Sequence, residues 1–353
     1  MRVIRRVSAV LIGFVFFLAG ILKIMDPVGA RLIVEEYLKF LHMSWMAGLS
    51  GVIGSGMSLL ETLLGAALIT GVWRRTAALV TGGLTAFFTL LSVLLYFKNP
   101  HFDCGCFGEI VHLTHLQTLF KNLILLALWA LAFLPLSKLE PTRKVKYVSF
   151  PIAAVSVCAF MLYSLLSIPL VDFTPFKQGA ELMLPEDIDD PTDESTPTLS
   201  LSDAEGEYVD DLLMEGDLMV VSIYNPDAMK PQQWAKVVRL LQDAAATGYR
   251  PLVLAASTPT MMRAAVSAPE VLDATFYADR KKLLSLNRSN GGATYIQEGL
   301  IVTKWGLRRL PDREKLESLL ATDVTESLLA ENNGDRLKFQ AFLLYVFAVM
   351  MLL

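Results

Sequence analysis

Charged residues are scarce in this sequence. Only 19% of its 353 residues are Asp, Glu, Lys or Arg, against about 25% in an ordinary soluble domain. The deficit lies in residues 1–170, which are mostly long apolar stretches, whereas residues 171–336 have a soluble composition. The formal net charge of -4 comes from one acidic segment. Nothing in the sequence indicates a nucleic-acid partner.

Cysteine is scarcer still, with three residues in the chain: Cys104, Cys106 and Cys158. None lies in residues 201–335, so that soluble part has no thiol for dithiol chemistry. Cys158 falls inside a predicted membrane helix, where an isolated cysteine usually behaves as a small hydrophobic residue.

Long apolar runs dominate the N-terminal part instead. A membrane-spanning helix needs about 20 mostly apolar residues. We predict a retained first span, because Lys23 and Asp26 follow its apolar run too closely for a cleaved signal peptide. A shorter run, Phe339–Leu353, is interpreted as a tail anchor, a short tilted span or a span that is cut short. The five full-length spans are predicted at Val7–Met25, Met46–Val72, Thr76–Phe97, Thr118–Leu136 and Val148–Leu170.

The basic residues of the short loops predict the orientation of these spans. Lys and Arg are enriched in cytoplasmic loops, and three basic clusters fall on one side if the five spans alternate. The loops 26–45 and 98–117, and the region after residue 170, then face the opposite side. The three clusters are Arg2, Arg5 and Arg6; Arg74 and Arg75; and Lys138, Arg143, Lys144 and Lys146.

Residues 171–200 are acidic and contain prolines, which is typical of a solvated, extended linker. Residues 201–335 then alternate buried-strand and helical patterns. A strand–helix–strand–helix–strand order, followed by a hairpin and a helix, resembles the thioredoxin fold. The predicted strands are Leu218–Tyr224, Pro251–Ala256, Ala274–Ala278, Ala293–Gln297 and Leu300–Trp305, and the helices are Gln232–Ala246, Pro259–Val266 and Asp312–Leu320.

The residues that carry redox chemistry in thioredoxins are missing from this domain. The segment after the first strand, where a redox thioredoxin has Cys-x-x-Cys, reads Asn225–Pro231 and has no cysteine. The segment before the hairpin, where a thioredoxin has a cis-proline, reads Ser289-Asn-Gly-Gly292. We therefore expect a binding or scaffolding role for this domain.

Cys104 and Cys106 sit in the run Asp103-Cys-Gly-Cys-Phe-Gly-Glu109, at the outward end between the third and fourth spans. In an oxidising compartment such a pair can cycle between dithiol and disulfide, and Gly105 can adopt the unusual backbone angles of a small ring. Two alternatives remain open, an inert local disulfide and half of a metal site. Two thiolates make a weak zinc case, although His101, His112 and His115 lie nearby.

Glu61 falls near the middle of the second predicted span. A carboxylate in a membrane is costly and usually faces the interior of a helix bundle. It is interpreted either as a proton-transfer or quinone-adjacent site, or as a protonated residue that packs helices. Lys23 is predicted to extend its ammonium group to the outer membrane interface.

These motifs resemble a known family. The run 103–109, followed by Leu116-Gln-Thr118 and Lys121-Asn122, is similar to the DoxX-like membrane proteins, and within them to the branch related to the methylamine utilisation protein MauE. Two further motifs, Gly20-Ile-Leu-Lys23 with Asp26-Pro27 and Leu60-Glu61-Thr-Leu-Leu-Gly65, are similar to the first two spans of that family.

The resemblance implies a four-helix membrane bundle over residues 1–137 and a redox-associated role. We predict a cytoplasmic loop and fifth span over 138–170, the acidic linker, a periplasmic thioredoxin-like domain over 201–335 and a C-terminal membrane anchor over 336–353. This domain resembles the extension of some Bacteroidetes relatives, with matches at Asp279, Arg288-Ser-Asn290 and Lys304-Trp305, although their proline is Gly291 here.

The leading functional hypothesis is an inner-membrane protein in which Cys104 and Cys106 form a redox pair and Glu61 is an intramembrane proton site. The pair would exchange a disulfide with a periplasmic protein partner or pass electrons to a lipid-soluble carrier. A quinone is the cofactor class considered, and the sequence identifies no bound cofactor or resident metal. The alternatives are a non-catalytic membrane scaffold and, third, a transporter.

Overall fold

A computed structural model of the protein describes residues 2–100, 102, 104–109, 111, 113–136, 144–187 and 196–352. The chain divides into two compact units. The membrane unit comprises Met1–Leu166 with Phe339–Leu353, and the C-terminal unit comprises Ser167–Lys338.

The membrane unit is a helical bundle. Five of its segments, Arg2–Met25, Ser44–Thr70, Arg74–Lys98, His115–Phe133 and Lys146–Leu166, are long and apolar enough to cross a membrane. This confirms the five spans predicted from hydropathy. The helices are α1 (Arg2–Met25), α2 (Pro27–Phe40), α3 (Ser50–Thr70, preceded by a 3-10 segment Ser44–Leu49), α4 (Arg74–Lys98), α5 (His115–Phe133) and α6 (Lys146–Leu166), and β1 (Cys106–Glu109) lies between α4 and α5. The last helix, α12 (Val324–Leu352), belongs to this unit from Phe339 onward.

Small residues bring α1 and α3 into close contact. A Cβ atom on Gly20 would collide with Thr62, and one on Gly65 would collide with the backbone of Phe17. Since lipid tails are as apolar as leucine, membrane helices associate through such close packing and through interhelical polar contacts. The α1–α3 pair is therefore the central contact of the bundle.

Arginine side chains close one end of the bundle. Arg5 Nε donates to the carbonyl of Ala132, near the end of α5, at 3.0 Å. Arg6 donates to the carbonyls of Leu68 and Ile69, in the last turn of α3. The last carbonyls of a helix lack intrahelical partners and carry partial negative charge. The start of α1 thus caps the ends of α3 and α5.

The final helix, α12, packs against α6 within the membrane unit. Phe160 of α6 stacks on Phe342 with ring centroids 4.6 Å apart. Near the start of α6, Lys146 Nζ donates to the carbonyl of Met350 at 2.9 Å. The two helices therefore run antiparallel. The apolar part of α12, Leu337–Met350, is shorter than the five spans.

The C-terminal unit contains a five-stranded mixed sheet in the order β4-β3-β2-β5-β6. Strands β2, β3 and β4 are parallel, and the β5–β6 hairpin continues the sheet in antiparallel fashion from β2. All five predicted strands are present within two residues of their expected bounds. They are β2 (Asp217–Ile223), β3 (Arg250–Ala255), β4 (Thr275–Tyr277), β5 (Gly292–Gln297) and β6 (Leu300–Trp305), and the helices are α7 (Pro231–Thr247), α8 (Pro259–Ala265), α9 (Pro269–Asp273), α10 (Arg280–Leu286) and α11 (Arg313–Leu320).

Apolar side chains cover both faces of this sheet. One face packs against α7, through residues such as Trp234 and Leu240. The other face packs against Leu283 and against Phe176 and Leu182, which come from the stretch predicted to be an acidic linker. The described parts of residues 171–200 therefore pack into the C-terminal unit, because their apolar side chains cover one face of the sheet. Residues 188–195 lie outside the described part of the chain.

Candidate functional site

The Cys-Gly-Cys motif forms a short loop between α4 and α5. Cys104 and Cys106 are joined by a disulfide, with their Cα atoms 5.4 Å apart. Gly105 between them has a φ of +61°, and a Cβ atom there would collide with Ile33 of α2. Glycine is therefore required for two reasons, the backbone angle and the close contact. Cys104 is buried, at 8% exposure, whereas Cys106 is half-buried.

Helix α2 holds the Cys-Gly-Cys loop in place. This helix lies within residues 26–45, which the sequence predicted to be a loop between spans. Asp26 caps the helix by accepting from the Gly29 N–H at 3.0 Å, and Pro27 opens it, as the rules for helix N-termini expect. The Tyr37 hydroxyl donates to the carbonyl of Cys104 at 3.0 Å. Burial, with a smaller contribution from Glu36, raises the pKa of Tyr37. The hydroxyl therefore keeps its proton and remains a donor.

A buried ion pair joins α1 to α3. Lys23 Nζ lies 2.8 Å from Glu61 Oε2, and the two side chains are 15% and 5% exposed. The prediction that Lys23 extends to the membrane interface is therefore wrong. The close packing of α1 on α3 sets Lys23 beside Glu61, and the pair neutralises two charges that would each be costly alone.

Lys121 of α5 adds a second ammonium group to this pair. It interacts electrostatically with both Lys23 and Glu61. Its Nζ also lies 5.2 Å from the ring centroid of Phe107, which is a cation–π distance. Phe107 follows Cys106 directly in the chain, so Lys121 connects the ion pair to the cysteine loop. We call Lys23, Glu61 and Lys121 the charged triad.

Lys121 was noted in the sequence only as part of a family motif. A basic residue inside an apolar membrane helix is itself a signal of function and would have identified it. Its neighbour Asn122 has a structural role, since its Nδ2 donates to Ser92 Oγ at 2.6 Å and to the Phe88 carbonyl at 3.1 Å. These bonds join α5 to α4.

The histidines near the motif do not form a described metal site. His115 Nε2 lies 3.0 Å from the carbonyl oxygen of Pro100. His101 and His112 lie outside the described residues. Within the described ranges, no group of three or more His, Cys, Asp or Glu side chains could hold a metal ion. Cys158, on the exposed face of α6, is a free thiol.

Residues 1–135 match the sequence profile of a family described as methylamine utilisation protein MauE. The match covers less than half of the chain, and this region is similar to that family. No curated protein and no solved structure matches the chain. The matched region includes α1 to α5 with the Cys-Gly-Cys loop and the charged triad, and it ends before α6. The resemblance to MauE is thus confirmed for the membrane bundle, and the wider DoxX resemblance stays a prediction.

The motifs that carried the resemblance meet in this MauE-type bundle. Gly20 and Gly65 allow α1 and α3 to touch. Lys23 and Glu61, from the same two motifs, form the ion pair. Lys121, from the third motif, lies against the cysteine loop. Three separate stretches of sequence therefore build one site.

In the C-terminal unit, side-chain hydrogen bonds hold the turn after β2, which the sequence pattern predicts to correspond to the Cys-x-x-Cys segment of redox thioredoxins. Asn290 Oδ1 accepts from the N–H groups of Tyr224 and Asn225, each at 3.0 Å. Asn290 Nδ2 donates back to the carbonyl of Asn225 at 2.7 Å. The turn after β2 is thus fixed by side-chain hydrogen bonds. Membership of the thioredoxin fold remains a prediction.

Other motif residues of this unit are structural. Lys304 Nζ pairs with Asp172 Oδ2 at 2.6 Å, and Asp279 caps α10 by accepting from the N–H groups of Lys281 and Lys282. Burial alone would raise the pKa of Asp172, but the Lys304 ammonium and the bonds from Thr174 hold it below its usual value. The Asp172–Lys304 pair was not predicted, because the two residues are 132 positions apart.

Proposed function

We propose that this protein exchanges disulfides with a partner protein at the outer face of a bacterial inner membrane. The observation that carries the proposal is the difference in exposure between the two residues of the Cys104–Cys106 disulfide. One is buried and the other is half-buried. An accessible sulfur can be attacked, and a buried one is suited to leave and later resolve the intermediate.

The exchange then runs through Cys106. A partner thiolate attacks Cys106 Sγ, the Cys104–Cys106 bond breaks, and Cys104 leaves as the thiolate. The second thiol of the partner, as its thiolate, attacks the partner sulfur bound to Cys106. The partner becomes a disulfide and the pair becomes a dithiol that has gained two electrons and two protons. Reoxidation of the dithiol passes these two electrons and two protons to a lipid-soluble acceptor, for which a quinone is the proposed chemical class.

The distribution of basic residues supports an orientation with this chemistry outside the cytoplasm. The end closed by Arg5 and Arg6 is assigned to the cytoplasm because basic residues are enriched there. The cysteine loop lies between α4 and α5, at the opposite ends of those helices, and so faces the oxidising compartment where disulfides persist.

The C-terminal unit has a different proposed role, which is to recruit the partner. It follows α6 and contains no cysteine in residues 201–335, and Asn290 fixes the turn after β2 by hydrogen bonds. If this recruitment is the whole function, the protein is a scaffold and Cys104–Cys106 is a structural disulfide.

Single cysteine variants in living cells separate these two functions. In Cys104→Ser the accessible Cys106 thiolate can attack the disulfide of an oxidised partner, which is the reverse of the last exchange step. Without Cys104 to displace the partner from Cys106, this variant should accumulate the mixed disulfide. Cys106→Ser leaves only the buried Cys104 and should give at least tenfold less adduct. The measurement is non-reducing electrophoresis after acid trapping of thiols, and Cys158→Ala is the matched control.

Three results would contradict the exchange function. Absence of any adduct in both single variants is the first, and equal adduct formation by the two is the second. Normal function of the Cys104→Ser, Cys106→Ser double variant is the third, and it would leave the scaffold function as the better account.

A further inference from the structure

The charged triad carries more positive than negative charge. Lys23 pairs with the carboxylate of Glu61, and the ammonium group of Lys121 interacts electrostatically with both residues. Lys23 and Glu61 already form a close pair at 2.8 Å, which neutralises both. The helix packing does not need a second ammonium group, and a lysine inside a membrane helix is costly. The excess charge is therefore best explained by an anion that forms beside the triad during function.

The reduced cysteine pair, on the loop that Lys121 contacts through Phe107, is a group that can become an anion. Lys121 lies over the ring of Phe107, the residue next to Cys106, and β1 packs on α1, which carries Lys23. A thiolate at Cys106 would thus form beside the positive side of the triad. Electrostatic interactions in such a partly dry site act over longer distances than in water.

We propose that the excess positive charge of Lys23, Glu61 and Lys121 stabilises the thiolate of reduced Cys106. The triad acts on the reacting sulfur through its field, so its members are positioning residues. This inference rests on the exchange function proposed for Cys106. It also gives Glu61 a defined role, since its carboxylate limits how strongly the two lysines favour the thiolate.

Other ionisable groups surround the loop and stay constant in the test. Arg31 and Glu35 of α2 pair with each other at 2.8 Å, and Asp26 caps α2. The remaining ionisable groups of the described α2 and α5 elements are Glu36, Tyr37, Lys39 and His115.

The test titrates a single thiol. In the full-length Cys104→Ser, Cys158→Ala variant, Cys106 is the remaining cysteine, and its rate of alkylation by iodoacetamide is measured from pH 5 to 10. We expect a midpoint below the usual thiol pKa of about 8.5. Adding Lys121→Met or Lys23→Met should raise the midpoint and slow alkylation at pH 7 about tenfold, which corresponds to one pKa unit.

The direction in which Glu61→Gln shifts the alkylation midpoint distinguishes a charge effect from a packing effect. This change removes the negative charge, so it should lower the midpoint, whereas the lysine changes raise it. A loss of packing would move all three variants in the same direction. Lys121→Arg keeps the charge and should restore the original midpoint, and Lys39→Met, an exposed lysine of α2, should leave it unchanged.

Midpoints that do not respond to these changes, or that move in the same direction for Glu61→Gln and Lys121→Met, would overturn the inference. The titration needs no partner protein. A charge-dependent midpoint without any trapped adduct would therefore refute the exchange function alone, and trapped adduct with an unresponsive midpoint would refute the triad alone. If Glu61→Gln does not fold, the comparison of Lys23→Met with Lys121→Arg still tests the effect.

Discussion

Removal of the Glu61 carboxylate should be the most damaging single change in the charged triad. At the observed 2.8 Å, two unit charges attract by about 6 kcal/mol at an effective dielectric of about 20. Desolvation of both groups offsets much of this attraction, and the loss of one partner from a buried pair costs about 3–5 kcal/mol. Glu61→Gln leaves the ammonium groups of Lys23 and Lys121, which repel each other, without a carboxylate, so the full cost applies.

Lys23→Met should be much milder, because Lys121 remains to balance Glu61. The double variant Lys23→Met, Glu61→Gln leaves one ammonium group and should fall between the two single variants. The expected order of stability is wild type and Lys23→Met, then the double variant, then Glu61→Gln. For a unit of this size, 3–5 kcal/mol corresponds to a fall in Tm of roughly 6–20 °C.

The assay is thermal unfolding of the purified full-length protein in detergent, followed by circular dichroism. The pair Arg313–Glu317 is a matched control because its N–O distance is also 2.8 Å but its side chains are 59% and 55% exposed. Glu317→Gln should change stability by less than about 1 kcal/mol. A Lys23→Met variant less stable than Glu61→Gln would refute the charge arrangement described here.

Two further predictions concern helix packing and pH. Gly65→Ala should destabilise the bundle by about 1–3 kcal/mol, because the added methyl group meets the backbone of Phe17. Gly56 has open space around it, so Gly56→Ala is the control and should not destabilise the bundle. Equal effects of the two changes on thermal unfolding would contradict the packing of α1 on α3. Lys304→Met should destabilise the chain by about 3–5 kcal/mol at pH 7. The folded pKa of Asp172 lies below its unfolded value, so wild type begins to lose this stabilisation as pH falls below about 4. The stability difference between wild type and Lys304→Met should therefore shrink in thermal melts at pH 3.5. A stability difference that does not depend on pH would show that Asp172 is not ionised in the fold.

Local sequence patterns were sufficient to predict most elements of this protein. The five spans follow from the number of apolar residues that a bilayer requires, and the strands of the C-terminal unit follow from short apolar runs between turn residues. Helix α2 was missed because it lies in a stretch between spans that is too polar to cross a membrane. Its start was nevertheless encoded by Asp26 as the cap and Pro27 at the first position.

The candidate site could be predicted only in pieces. The cysteine pair and Glu61 were identified from residue type and position alone. The partner of Glu61 was not, because it depends on how α1 is aligned along α3, and that alignment is set by the contacts of Gly20 and Gly65. A lysine near the end of an apolar helix can reach the interface or a buried carboxylate, and the sequence of one helix does not distinguish these outcomes.

The packing of α12 on α6 means that the polypeptide returns to the membrane unit after the C-terminal unit. Residues 167–338 are thus a long insertion between two helices of the same bundle. We expect a single protease cut within this insertion to leave both fragments with helices packed in the same bundle. Release of the C-terminal unit as a free protein would require two cuts, one on each side of the sheet.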